Sequence, residues 1–285
     1  MNILLTGPNS FSGKVILELL LATNYSVTTI SRQKLYKNFS GNINCIFGDL
    51  ATIDRLDGQF DAVIHIAATS PAQGVSVAHL IRDNILATQN LIELVKNCGI
   101  KKFIFFSTCS AYGNVYQSVL CEKTPINDPC SYGASKLMCE SMLREQTLFQ
   151  SLAIRLPAVI GRGAARHWLA NTINKAKAAE DLTIYNPGAI FNNAVHINML
   201  AQFVEQLLHR VWPYGFDYMN VASIRGLPIL QIIEKIITTF NSPSIVNVGP
   251  AKKMPFSISN QYAEEQYAFK PLGFMEGLEM YLDEC

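Results

Sequence analysis

Apolar residues along this chain come in short blocks whose internal spacing changes from one block to the next. Asn2 to Thr6 is a short apolar run closed by Gly7, and Phe11 to Thr23 then sets Val15, Ile16, Leu19 and Leu20 at helical spacing. Ser26 to Ser31 and Ile43 to Phe47 are rich in strand formers, and Ala62 to Ala67 is a continuous apolar strand. Val77 to Cys98 reads as a helix stopped by Gly99, and Lys102 to Ser107 (KFIFFS) as the next strand. Strands that are apolar throughout, rather than alternating, predict a sheet covered on both faces. Repeated strand–helix units predict right-handed crossovers and an α/β fold with a doubly wound parallel sheet. The second half is less regular. Its spacing predicts helices over 131–149, 165–179, 197–209 and 229–239, a strand over 152–156, and a turn at Asn186-Pro187-Gly188. No repeat, low-complexity stretch or linker divides the chain, so the two halves are expected to pack as one body with a cleft between them.

Composition narrows the function classes. The 285 residues are 49% apolar and 16% charged, which supplies a large core and too little charge for a disordered tail. Lys plus Arg is 23 and Asp plus Glu is 22, a net charge of +1 that points to neither nucleic acid nor an anionic membrane as partner. Apolar stretches such as Val15 to Ala22 fall short of the roughly 20 residues of a spanning helix. The opening MNILLTG lacks the basic region of a secretory leader. Seven cysteines form no CxxC pair and no Cys/His cluster, so reduced thiols in a cytoplasmic protein, with no metal, are expected.

Thr6-Gly7-Pro8-Asn9-Ser10-Phe11-Ser12-Gly13 joins the first strand to the first helix. Gly7 permits a tight turn, Gly13 lets the helix approach the strand, and the helix N-terminus can hold a pyrophosphate. The spacing is G-x-x-x-x-x-G, with Ser10 where a third glycine is expected; an ordinary turn is the plain alternative. The second strand ends Ile30-Ser31-Arg32 with Lys34 nearby. A hydroxyl and an Arg fork suit a 2′-phosphate, so NADP(H) is expected over NAD(H), against the alternative of a solvated loop Arg.

Tyr132 and Lys136 sit four apart at the start of a helix and share one face. A phenol acts as an acid or base near neutral pH only when its anion is stabilised, which a nearby ammonium does. A hydroxyl-rich strand end precedes them, Ser107-Thr108-Cys109-Ser110-Ala111-Tyr112-Gly113, able to bond a substrate oxygen beside the Tyr.

In this order the pieces resemble the extended short-chain dehydrogenase/reductase family, the NAD(P)-dependent epimerase/dehydratase group, over nearly the whole chain. The resemblance implies a Rossmann domain over 1–160 carrying the catalytic YxxxK, and a smaller, mainly substrate-binding α/β region over 161–285, closely packed and with some exchange of chain. It implies Thr108, Tyr132 and Lys136 as catalytic residues. The cofactor-binding set it implies comprises Gly7, Asn9, Ser10, Phe11 and Gly13 in the loop, Ser31 and Arg32 after the second strand, and the Asp49-Leu50 pair at the adenine. Ala67 and Ala68 (in His65-Ile66-Ala67-Ala68), Asn84, Ser107, Tyr132, Lys136 and Leu156 complete it. Arg155-Leu156-Pro157-Ala158-Val159-Ile160-Gly161 resembles the segment leading into the substrate region, and Asn193 to Ile197 and Phe269-Lys270-Pro271 resemble later landmarks. A homodimer through two apolar-faced helices, near 78–98 and 131–149, is also implied.

Departures from the pattern shape the function. Dehydratases of the family carry Asp-Glu after the catalytic Thr; here Cys109-Ser110 stands there, and Cys109 reads as a small buried residue. Ala158 and Asn192 replace the Asn and Arg that help hold a nucleotide sugar's diphosphate. Arg162, Arg166, Lys175 or Lys252 could supply charge instead, solvated surface being the simpler reading of each. His65 is expected beside the cofactor strand and His196 as a structural residue. The expected function is a hydride-transferring oxidoreductase or epimerase on a sugar, nucleotide-linked by preference, with Tyr132 as general acid/base. Two alternatives stand beside it: an NADPH-dependent reductase of a non-nucleotide carbonyl compound, and a dinucleotide-binding sensor or scaffold without turnover.

Overall fold

A computed structural model describes residues 1–251 and 254–285. Seven parallel strands make the central sheet: β1 (Asn2–Thr6), β2 (Ser26–Ser31), β3 (Ile43–Phe47), β4 (Ala62–His65), β5 (Lys102–Thr108), β6 (Gln150–Leu156) and β7 (Phe216–Asn220), in the spatial order β7-β6-β5-β4-β1-β2-β3. β1 pairs with β2 on one side and β4 on the other, so the chain reverses its direction of travel across the sheet at β1. Such a switch point opens a crevice at the carboxyl ends of the strands, where ligands of this architecture bind.

The unbroken apolar strands are explained by their two faces. Ile3, Leu5, Ile64, Ile104 and Phe106 face a cluster completed by helices α1 (Phe11–Ala22) and 197–209, whereas Leu4, Val63, Phe103 and Phe105 face one completed by helices 77–95 and 131–144. Burying one Leu or Phe side chain contributes about 1.5–3 kcal/mol, so neither face tolerates a polar residue at these positions without a partner.

The chain after residue 160 serves both regions. Ile197–His209 packs on α1 and Phe216–Asn220 closes the β6 edge of the main sheet. The remainder builds a smaller lobe from helices Trp168–Lys177, Ile229–Thr239 and Phe274–Asp283 with short strand pairs, such as Ala158–Ile160 beside Ala194–His196.

Several elements differ from the sequence expectation. β4 stops at His65, since Ile66 onward leaves the sheet to pass the phosphate loop. The helix over 77–95 contains a π-helical segment, Ile81–Leu86, around the buried Asn84. The helix begun at Ser131 ends at Arg144, because the chain must turn so that β6 can start at Gln150. Strand β7 and the helices Gln261–Tyr267 and Phe274–Asp283 carried no expectation.

Candidate active site

The loop after β1 is shaped by two contacts that exclude side chains. Gly7 has φ +71°, and a Cβ there would lie 2.7 Å from the Ala67 amide nitrogen; a Cβ on Gly13 would lie 2.0 Å from the Gly7 carbonyl oxygen. Ser10 caps α1, its Oγ accepting from the Gly13 N–H at 3.1 Å and donating to the Gly7 carbonyl at 2.8 Å. Ser10 thus replaces a glycine with a local hydrogen-bonded brace. Asn9 pins the loop after β2: its Oδ1 accepts from the Tyr36 N–H at 3.1 Å and its Nδ2 donates to the Lys34 carbonyl at 2.9 Å.

Above this loop lies a cavity of about 440 Å³ lined by Gly7, Asn9, Ser10, Ser31, Arg32, Asp49, Leu50, Ala67 and Ala68, all residues expected at a dinucleotide. Small side chains, a serine-capped helix start and the switch-point crevice fit an adenosine diphosphate moiety. Asp83, also in this wall, lies 3.5 Å from the Arg32 guanidinium and accepts from the Thr69 hydroxyl. The Asp49 carboxylate is engaged by Arg82. Gly13 and Asn84 line neither this cavity nor the one beside it; they act within the scaffold. Asn84 accepts from the Thr69 N–H at 2.7 Å and donates to the Ser135 hydroxyl at 3.0 Å, which ties the 77–95 helix to the 131–144 helix.

A second cavity of about 700 Å³ shares Asn9, Ser10 and Ala68 with the first and is lined further by Phe11, Ser107, Thr108, Tyr132, Lys136 and Leu156. Thr108 ends β5 and caps the next turn, its Oγ1 accepting from the Ser110 N–H at 3.1 Å. Gly133 lets the Tyr132 helix sit on that turn, since a Cβ there would lie 2.2 Å from the Ser110 carbonyl oxygen. Burial pushes the Tyr132 phenol up, and a hydrogen bond with Ser70 works against it. Burial lowers Lys136 to about 8, with its Nζ 4.3 Å from the centre of the Phe105 ring.

Beneath these groups lies a polar layer. Glu140, one helical turn after Lys136, accepts from the Ser107 hydroxyl and from Arg155 at 3.0 and 2.6 Å. Arg155 is itself stacked 3.9 Å from the Tyr218 ring centre. A buried pair made this well holds its elements in register, and truncating one partner would leave a buried charge. His65 is wholly buried, with Nδ1 2.6 Å from the Thr6 hydroxyl and Nε2 2.9 Å from that of Thr88; burial, then the Lys136 charge, hold it well below its ordinary pKa. Its neutral ring links β1 and β4 at the switch point. Cys109 lies outside the cavity, bonded to the Arg155 carbonyl, and burial pushes its thiol up to about 12. His196 caps the 197–209 helix.

The basic candidates separate. Arg166 lines the second cavity; Arg162 and Lys175 are exposed and outside it, and Lys252 lies outside the described residues. Asn192 is buried, its amide bonded to the Ser223 and Ile258 carbonyls and to the Ile258 N–H, so it stitches strands rather than facing a ligand. Ser70 and His167 also line the cavity, and neither was singled out by the sequence, because single Ser and His residues between elements carry no spacing signal. Among the described residues no group of three His, Cys, Asp or Glu could hold a metal ion.

The model of the NAD dependent epimerase/dehydratase family matches residues 3–211. A UDP-glucose 4-epimerase of Cyamopsis tetragonoloba, GEPI42, is 30% identical over 320 aligned residues, 95% of this chain and 89% of that protein. The N-acetyl-alpha-D-glucosaminyl-diphospho-ditrans,octacis-undecaprenol 4-epimerase of Escherichia coli O157:H7 is 26% identical over 250 residues, 84% of this chain and 72% of that protein. With several other curated relatives the match spans 44% to 47% of their length. The solved structure of MoeE5 in complex with UDP-glucuronic acid and NAD shares the fold, with a TM-score of 0.84 at 21% identity over 100% of this chain and 98% of that one.

Proposed function

Since the chain belongs to the NAD dependent epimerase/dehydratase family and is therefore an enzyme of that type, we propose that it epimerises C4 of a sugar carried on a diphosphate, using NAD. One observation carries this reading: Thr108, Tyr132 and Lys136 meet in a cavity continuous with the dinucleotide cleft. The relatives' names support the substrate class. The two described above are 4-epimerases, one of a uridine-linked and one of a polyprenol-linked sugar, and both substrates are sugar diphosphate esters. Bound nicotinamide supplies the exchange of hydride with the sugar carbon. Tyr132 takes the proton from the sugar hydroxyl as the carbonyl forms and returns it when the alcohol is restored. The Thr108 hydroxyl orients that oxygen, and the Lys136 ammonium favours the phenolate. The hydroxyls of Ser110 and Ser70 add hydrogen-bonding capacity for the sugar in the same cavity.

An epimerase returns its cofactor to the starting redox state, so a reducing NADPH pool gives it no advantage. Arg32 is shared with Asp83, whose carboxylate opposes a 2′-phosphate in the same wall. NAD, the cofactor in the MoeE5 complex, therefore replaces the NADP preference expected from Ser31 and Arg32. Calorimetry should find NAD bound more tightly than NADP, and Arg32→Ala should change NAD affinity by less than about threefold. Tighter binding of NADP by about tenfold or more would restore the expectation drawn from Ser31 and Arg32.

The function is tested by incubating the protein with NAD and either UDP-sugars or polyprenyl diphospho-sugars and resolving C4 epimers by NMR. Turnover of simple carbonyls alone, with NADPH, would favour the non-nucleotide reductase suggested by Ala158 and Asn192. Cofactor binding without any turnover would favour the sensor.

The protein is proposed to act as a homodimer. The 77–95 and 131–144 helices expose Val77, Ile81, Leu86 and Met138, each between 44% and 55% accessible. Pairing them with a second copy would give a four-helix interface. Ile81→Glu with Met138→Glu should shift sedimentation from dimer to monomer; a wild type that sediments as a monomer at micromolar concentration contradicts the proposal. All seven cysteines are free, which suits a reducing compartment, proposed to be the cytoplasm. Among the described residues no helix is long and apolar enough to cross a membrane.

A further inference from the structure

We propose that Arg166 and His167 hold the diphosphate of the substrate, taking over from positions 158 and 192; this rests on the reading of the chain as acting on a diphospho-sugar. Position 158 is Ala, and the Asn192 amide is already engaged with Ser223 and Ile258. Neither can meet an anion. The described wall of the second cavity contains no Asp or Glu, and its cationic side chains are Lys136 and Arg166. Lys136 is buried at the reacting centre. Arg166 is exposed, and no carboxylate among the described residues forms an ion pair with it.

His167 supplies an independent observation. Its Nδ1 accepts from the Ala170 N–H at 3.2 Å, which places the proton of the neutral ring on Nε2. That Nε2 is closed off from solvent and has no partner among the described residues, although the residue lines the cavity. Burial keeps the ring below its ordinary pKa, so it is a neutral donor at physiological pH. A covered donor without an acceptor is uncommon in folded proteins, and a ligand that draws the ring outward into the cavity would supply the acceptor.

The loop that carries both residues is held from behind. The Arg162 N–H donates to Glu284 Oε2 at 2.7 Å, the Tyr281 hydroxyl donates to the Ala164 carbonyl at 3.2 Å, and the Tyr281 ring lies 6.0 Å from that of His167. The C-terminal helix therefore braces a loop that carries a cation at the cavity and, next to it in the chain, an unmatched neutral donor. A diphosphate offers acceptor oxygens to both, whichever group, nucleoside or polyprenol, lies beyond it.

The test titrates NAD-saturated protein with UDP and, separately, with farnesyl diphosphate by calorimetry. Arg166→Ala should weaken the probe that binds by about 10- to 150-fold, the range of one to two charge-assisted bonds, and Arg166→Lys should recover part of it. His167→Asn keeps a capping acceptor for the helix but is too short to reach the cavity, and should weaken binding by about 5- to 30-fold with an unchanged melting temperature. Preference for UDP assigns a nucleoside-linked substrate; preference for farnesyl diphosphate assigns a polyprenol-linked one. Wild-type protein that binds neither probe, or an Arg166→Ala variant that binds them as the wild type does, overturns the subsite. Binding that depends on Arg166 in a protein that epimerises no sugar leaves the subsite standing and removes the proposed reaction.

Discussion

Tyr132→Phe should fold as the wild type does and lose about 10²- to 10⁴-fold in turnover, the range for removal of a general acid/base. The substitution keeps the ring and its packing and removes only the hydroxyl. The hydrogen bond with Ser70 goes with it, but Ser70 is half-buried and can turn to water. NAD affinity should hold within about threefold, since Ser10, Asn9 and the α1 terminus are untouched. Three measurements on one preparation separate the roles: the rate of C4 inversion, the melting temperature and the NAD dissociation constant. A rate loss with the other two unchanged places Tyr132 in the chemistry. A fully folded variant with wild-type turnover on its own substrate removes the mechanism.

Most of the scaffold was legible because its signals are local. Gly7, Ser10 and Gly13 announce a tight turn before a helix, and the same chain contacts that require small residues there also shape the cleft proposed for the cofactor. The apolar runs of β1, β4 and β5 are legible for a similar reason, as each residue is claimed by one face or the other. Legibility failed where an element depends on distant partners. Strand β7 (FDYMN) has weak strand character and exists because the edge of β6 accepts it. The helix Phe274–Asp283 is a different case, since Phe274, Leu278, Tyr281 and Leu282 do stand at helical spacing and could have announced it. At the site, the spacing of Tyr132 and Lys136 was sufficient to nominate them. The engagement of the Asn192 amide was not legible, because Ile258 is 66 residues away. Arg32 read as a phosphate ligand, since its partner Asp83 belongs to a helix across the cleft. His167 was invisible, because its meaning rests on an unmatched nitrogen.

Lys136→Met should stabilise the fold while lowering turnover steeply. The ammonium is buried, and that burial lowers its pKa from the ordinary 10.5 to about 8. Each unit corresponds to about 1.36 kcal/mol, so the charged form costs the folded state about 3 kcal/mol at pH 7. The Phe105 face beneath the ammonium offsets part of this, about 0.5–2 kcal/mol. Met is unbranched and of similar length, and fills the same slot without a charge. The expected net gain is about 1–3 kcal/mol at pH 7. The sign with pH follows from linkage. Between about 8 and 10.5 the unfolded chain keeps the lysine proton that the folded chain has lost, so wild-type stability rises across that window relative to Met. The melting-temperature advantage of Lys136→Met should therefore be largest at about pH 7 and shrink towards about pH 10.5. Turnover should fall by about 10²-fold or more, because the Ser70 hydrogen bond is then left to favour the Tyr132 phenolate without a neighbouring ammonium. A less stable variant at every pH would make Lys136 a structural residue. A more stable and inactive one shows a charge retained at the expense of stability for its chemistry, as pre-organised reacting groups are.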